Sequence, residues 1–269
     1  MLLLFVNIIL SVLSMCSYLM FCDFTLMSIV YALIIFISAF VSFTIAVLLI
    51  FAIITLCIPK NKKIEGDSPI YRRILCRVVE YAFIFLRVKY KVIGDELVPE
   101  NKRFLLVANH LNESDPLFLL LAMGVKRPIG VLAKKDLWDW FFVPNAIVGV
   151  GSLPIDREND REAAKSIIAA SKLIKDDKMS IAVFPEGYTE KGRGLLPFRD
   201  GVFKIAQRAN APIVVAVING TDGFFKRLFF KKNYIEVKII DCISAETVAE
   251  LKTHEIGELI HKQMEDEIK

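Results

Sequence analysis

Apolar and polar positions divide this chain into two unlike parts. Residues 2–21 are predominantly apolar, about the ~20 residues a helix needs to cross the hydrocarbon core of a bilayer. Asp23 interrupts the run, and residues 26–58 are apolar again. Between Met1 and Pro59 the only side chain charged at neutral pH is Asp23, and no Lys or Arg occurs. As a helix the second run exceeds ~30 Å of hydrocarbon, so it must tilt, kink or emerge at one end. The pattern predicts a membrane-anchoring helical hairpin over residues 1–59 with Asp23 in its short turn. One long membrane helix preceded by a buried or interfacial stretch is the alternative. The start MLLLFVNIIL carries no basic residue and leads to no small-residue cleavage site, which argues against a signal peptide. Lys60, Lys62 and Lys63 follow the second run at once. By the positive-inside rule they place that end, and everything after it, on the cytoplasmic side.

Residues 60–87 read as a basic linker and an interfacial amphipathic helix. Between residues 71 and 90, Arg72, Arg73, Arg77 and Arg87 alternate with Ile74, Leu75, Val78, Val79, Phe83 and Phe85. Such a helix fits the surface of an anionic membrane. It equally fits a domain helix turning its apolar side chains into a core.

From residue 88 to 269 short β-type runs alternate with helical stretches. Strands are expected at 88–93, 104–108, 129–133, 180–184, 213–218 and 235–240. Helices are expected at 116–123, 160–175, 202–209 and 244–268. Continuous apolar runs such as FLLVA and IAVF suit strands covered on both faces. The alternation predicts an α/β fold: a mixed, largely parallel sheet flanked by helices.

Composition adds little to that picture. The formal net charge of +4 gives no global argument for nucleic acid as a partner. The five cysteines show neither metal-ligand nor redox spacing, and residues 109–219 contain none. Neither a disulfide framework nor a metal site is implied.

The candidate chemistry lies in NHLNESDP, residues 109–116, between a strand and a helix. Catalytic groups of open α/β sheets collect at such places. Asp115 before Pro116 reads as an N-cap with proline at the first helical position. Of three histidines, His254 and His261 fall on a polar C-terminal helix, whereas His110 sits on the loop. A carboxylate five residues on can reach one imidazole nitrogen, fix the tautomer and leave the other nitrogen as a base. No Ser or Cys makes an obvious nucleophile elbow downstream. A His–Asp pair lacking its own nucleophile points to a substrate hydroxyl in that part.

These residues resemble the glycerolipid acyltransferase family, that of 1-acylglycerol-3-phosphate acyltransferase. NHLNESD looks like its NHxxxxD block, and GSLPIDR, residues 151–157, like its second. FPEG, residues 184–187, matches its third, and APIVVAVI, residues 211–218, is similar to its fourth. AKKDL, which contains Lys134, and LLPFRDGVFKIA also sit where the family has similar runs. The resemblance implies His110 as general base and Asp115 as its orienting carboxylate, with acyl-CoA or acyl-carrier protein as donor. It implies no tightly bound cofactor. Asn109, Lys134, Arg157, Glu186 and Gly187 become substrate-binding candidates, Arg157 as the phosphate ligand. The family's third block usually runs FPEGTR, whereas here Tyr188 and Thr189 stand in place of the Thr and Arg. Lys191, Arg193 or Arg199 could supply the missing charge. That departure leaves the acceptor open between 1-acylglycerol 3-phosphate and another lysolipid.

Two aromatic clusters remain. Trp138, Trp140, Phe141 and Phe142 fit an acyl tunnel, an interfacial loop or plain packing. Phe224, Phe225, Phe229 and Phe230 interleave with Lys226, Arg227, Lys231 and Lys232 and read as a second membrane contact. The expectation is an integral membrane acyltransferase, with its catalytic domain on the cytoplasmic face of a bacterial cell membrane. Its partners would be the lipid bilayer, a lysophospholipid and the acyl donor. A lipid thioester or ester hydrolase and a non-catalytic lipid-binding protein are the rival readings.

Overall fold

The computed structural model describes residues 1–124, 127–187, 194–228 and 231–268. Helices α1 (Leu2–Leu19) and α2 (Leu26–Leu56) pair as a hairpin, with Asp23 in the turn. Each is long and apolar enough to cross a membrane, and their apolar side chains largely face outward. Thr25 starts α2 with a reciprocal cap: its hydroxyl accepts from Ser28 N, and Ser28 Oγ accepts from Thr25 N.

Helix α3 (Pro69–Phe85) runs along the second half of α2. Tyr71 Oη lies 3.0 Å from Thr55 Oγ1, and Tyr81 Oη lies 2.8 Å from Thr44 Oγ1. Asn7 of α1 completes the second contact, its amide donating to Tyr81 Oη at 2.7 Å. Tyr71, Cys76 and Phe83 face the domain core, so α3 is a domain helix that also carries the hairpin. Arg72 departs from the expected outward basic face. It is buried and paired with Asp67 of the linker, whereas Arg73, Arg77 and Arg87 are exposed.

The rest of the chain winds around one seven-stranded sheet. In chain order come β1 (Val88–Ile93), β2 (Leu105–Ala108), α4 (Asp115–Met123), β3 (Ile129–Lys134), α5 (Val143–Gly149), β4 (Leu153–Ile155), α6 (Asp160–Lys175) and β5 (Ser180–Val183). A 3-10 turn at Asp200–Phe203 leads into α7 (Lys204–Ala209), followed by β6 (Ile213–Asn219), α8 (Phe224–Arg227), β7 (Asn233–Ile243), α9 (Ala245–Glu250) and α10 (Thr253–Glu265). The strand order is β1-β7-β6-β2-β5-β3-β4, and every pairing is parallel except β6 with β7. This is the mixed, largely parallel sheet that the alternation of elements predicts.

Period-two alternation in the central strands feeds two cores. Leu106 and Ala108 of β2 point to the side holding Phe83 and Phe118, and Leu105 and Val107 to the side holding Leu173 and Phe203. The short strand β4 and the helix α5 fall between the expected elements, too short to carry a period of their own. The single helix expected at 244–268 is two. Ser244 caps α9, Glu255 accepts from Lys252 N at the start of α10, and Gln207 of α7 donates to the carbonyls of Val248 and Leu251 between them. Those side chains satisfy the backbone groups that a break exposes.

Candidate active site

Strand β2 ends in the middle of the sheet, and its C-terminal loop delivers the site. Asn109 is fully buried: its amide nitrogen donates to Ile218 O at 3.0 Å and its oxygen accepts from Ile218 N at 2.7 Å. It thereby extends the β2–β6 pairing by one side chain. Expected among the substrate-binding residues, Asn109 spends its amide on the neighbouring strand instead.

His110 follows. Its Nδ1 lies 3.0 Å from Asp115 Oδ2, and the same oxygen accepts from the backbone N–H of Leu111 and of Asn112, each at 2.7 Å. Asp115 is fully buried. The expected capping geometry shifts by one residue: Ser114 holds the cap position and Asp115 is the first residue of α4. This frees the carboxylate to turn back into the loop rather than cap its own helix. The imidazole stacks on Phe184, ring centroids 4.2 Å apart, so the ring is held by its Nδ1 edge and one face. Nε2 lies on the opposite edge of the ring from the Asp115 contact.

Glu186, which follows β5, lies beneath this loop. Its Oε1 accepts from His110 N at 2.6 Å and its Oε2 from Leu196 N at 3.0 Å. Burial pushes its carboxyl above the ordinary glutamate range, although both backbone donors pull the other way. Glu186 therefore clamps two loops together. Gly187 adopts φ +77°, and a Cβ there would sit 3.1 Å from Arg199 Nε. Glycine supplies both the left-handed backbone and the room in which Arg199 lies.

Arg199 is fixed from both ends: its N–H donates to Pro185 O at 2.9 Å and its Nη1 to Arg157 O at 3.1 Å. Arg157 is the second residue past β4. Both guanidinium residues, with Gly187 and Phe184, line a cavity of about 540 Å³. His110 is not in that lining; Phe184 stands between ring and cavity. Asp156, beside Arg157, pairs with Lys135 at 3.1 Å, which holds its carboxyl below the ordinary range.

The remaining expected residues fall elsewhere. Lys134, at the end of β3, pairs with Asp136 at 2.5 Å and lies outside the cavity lining. Lys191 and Arg193, like Tyr188 and Thr189, lie outside the described residues. Trp140 and Phe141 are exposed while Phe142 meets Phe51 of α2 edge-on, ring centroids 6.0 Å apart. Phe224 is buried against Phe118, so it belongs to the core and not to an outward aromatic patch; Phe225 is exposed. What the motif reading passed over is the second role of Glu186 as a backbone clamp. Its signal is a carboxylate three residues past a buried strand, where free N–H groups gather.

Residues 89–219 match the family model described as Acyltransferase. A 1-acyl-sn-glycerol-3-phosphate acyltransferase of Haemophilus influenzae is 28% identical over 188 residues, covering 70% of this chain and 77% of that protein. One from Saccharomyces cerevisiae is 31% identical over 193 residues, covering 69% of this chain and 62% of its own length. The crystal structure of a 1-acyl-sn-glycerophosphate acyltransferase from Thermotoga maritima superposes with a TM-score of 0.60 at 19% identity, covering 73% of this chain and 77% of that one. The last likeness concerns the fold.

Proposed function

We propose, from the match of residues 89–219 to the family model described as Acyltransferase, that this chain acylates the free hydroxyl of 1-acylglycerol 3-phosphate to give phosphatidate. The observation that carries this reading is the His110–Asp115 pair. A buried carboxylate on Nδ1 favours the tautomer whose Nε2 can accept a proton, and stabilises the imidazolium once formed. The proton comes from the acceptor hydroxyl as its oxygen attacks the thioester carbonyl carbon. The carbon–sulfur bond then breaks, and the thiol departs with the proton held by His110. No acyl-enzyme is formed, in keeping with a motif that offers no side-chain nucleophile.

Arg157 and Arg199 support a phosphate-bearing acceptor. Two guanidinium groups on neighbouring loops, Arg199 braced on the Arg157 carbonyl, suit a phosphate monoester, whose oxygens accept from guanidinium forks. Arg199 thus compensates for the arginine absent from FPEGYT. In this reading the apolar hairpin holds the enzyme in the bilayer that supplies its acceptor, and Lys60, Lys62 and Lys63 lie on the cytoplasmic side.

The test is transfer by the full chain in lipid nanodiscs, supplied with labelled acyl-CoA or acyl-carrier protein and a panel of lysolipids, the products identified by mass. Phosphatidate formed only with 1-acylglycerol 3-phosphate is expected. A diacyl product from another lysolipid would reassign the acceptor, and free fatty acid without any acceptor would make the enzyme a hydrolase.

A further inference from the structure

The cavity is larger than one phosphate needs, and its shape continues away from the catalytic loop. Helix α6 joins β4 to β5, and α7 lies between β5 and β6, all parallel strands. Both helices therefore descend from the edge of the sheet that holds His110, and the cavity is the groove between them. From Asp160 to Ile168 the α6 wall falls about 12 Å. Its lining is Ala163, Ala164, Ile167 and Ile168, and Ile168 is 49% exposed, an apolar stripe open to solvent.

The opposite wall is basic. Lys204 and Arg208 stand one turn apart on α7, both exposed, both lining the groove, and neither ion-paired among the described residues. Arg208 lies about 6 Å further down than Lys204. The carboxylates in the lining, Asp160 and Asp200, belong to the upper end, and burial raises the carboxyl of Asp200. The lower end is thus an apolar wall facing uncompensated positive charge.

A lysophosphatidate engaged at His110 cannot reach that charge, because only a few bonds separate its hydroxyl from its phosphate. The acyl donor can. In a phosphopantetheinyl thioester the reacting carbonyl and the phosphate sit at opposite ends of a long chain of amides and methylene groups. We propose that the groove between α6 and α7 takes the phosphopantetheinyl arm of the acyl donor, with Lys204 and Arg208 on its phosphate. The inference rests on the acyl-transfer reading. The arm is common to coenzyme A and acyl-carrier protein, and the groove recognises what they share.

Lys204→Ala and Arg208→Ala combined in the full-length protein test this. Transfer to 1-acylglycerol 3-phosphate would be measured with palmitoyl-CoA, palmitoyl-carrier protein and palmitoyl-pantetheine, which lacks the phosphate. The donor KM is expected to rise roughly tenfold or more, as loss of charge-assisted hydrogen bonds implies. The KM for the acceptor, and that for palmitoyl-pantetheine, should not move. A rise with both natural donors supports the shared phosphate. A rise confined to palmitoyl-CoA locates the contact on its nucleotide and overturns the assignment to the arm. Unchanged donor KM values, or a rise in the acceptor KM instead, overturn the proposal. If the wild-type protein transfers nothing, the acyl-transfer reading fails first. Calorimetric titration with free 4′-phosphopantetheine then decides the groove: binding lost in the double variant supports it, and equal or absent binding in both proteins overturns it.

Discussion

Glu186 Oε1 lies 2.6 Å from the backbone nitrogen of His110, while its other oxygen takes the N–H of Leu196. The FPEG carboxylate thus holds His110, the proposed base, by its main chain, and the segment around Leu196 with it. The third motif acts on the first through one side chain.

Glu186→Gln tests that clamp. A carboxamide offers one acceptor oxygen and one NH2, so one of the two backbone donors faces another donor. Leaving a buried donor unsatisfied costs about 1–3 kcal/mol. We expect kcat to fall by roughly tenfold to a hundredfold while the acceptor KM stays near its wild-type value. A rise in KM alone would mean that Glu186 touches the acceptor instead.

The same burial makes a prediction about pH. Because the folded-state carboxyl of Glu186 is raised, the folded protein holds this proton more tightly than the unfolded chain does. Its contribution to stability is fullest below the ordinary glutamate value and is lost as pH rises through the raised one. Thermal unfolding of wild type and Glu186→Gln across that window should show the wild type losing more stability with rising pH. Parallel curves would contradict the raised carboxyl.

Arg157→Ala should raise KM for 1-acylglycerol 3-phosphate roughly tenfold or more, since the proposed charged partner of its phosphate is lost. Acylation of a monoacylglycerol, which lacks the phosphate, should be unaffected. Equal losses on both acceptors would point to a structural role, for instance in seating Arg199, which donates to the Arg157 carbonyl.

Tyr81→Phe should loosen the hairpin. The phenol lies 2.7 Å from the Asn7 amide and 2.8 Å from Thr44 Oγ1, and it is buried. Removing it deletes two bonds that tie α3 to the hairpin, while the Asn7 amide keeps Phe40 O and Thr44 Oγ1 as acceptors, so the cost is that of the lost hydrogen bonds, about 0.5–1.5 kcal/mol each. A lowered unfolding midpoint in detergent is the expected result. An unchanged midpoint would mean that apolar packing alone seats the hairpin.

Much of this was legible in the residues. Asp23 between two apolar runs announced the hairpin turn, and the run FLLVA followed by NHLNESD gave strand, loop and helix in the observed order. The His110–Asp115 contact was expected from the five-residue spacing read together with the family resemblance of the motif blocks. What was not legible depends on long-range partners. Nothing around Asn109 says that its amide is spent on Ile218, more than a hundred positions away. Arg72 reads as one of four surface arginines until Asp67 folds over it. The strand Leu153–Ile155 has three residues and hence no period to detect. The groove between α6 and α7 needed the fold to bring Ile168 and Arg208 to one cavity.

The most direct test of the account is a comparison of wild type with His110→Ala, full length and in nanodiscs, following acyl transfer to 1-acylglycerol 3-phosphate. With His110 as the base that deprotonates the acceptor hydroxyl, the substitution should lower kcat by on the order of 10²–10⁴, with both substrates still binding and the fold intact. Retention of wild-type turnover by a folded His110→Ala protein would contradict the account.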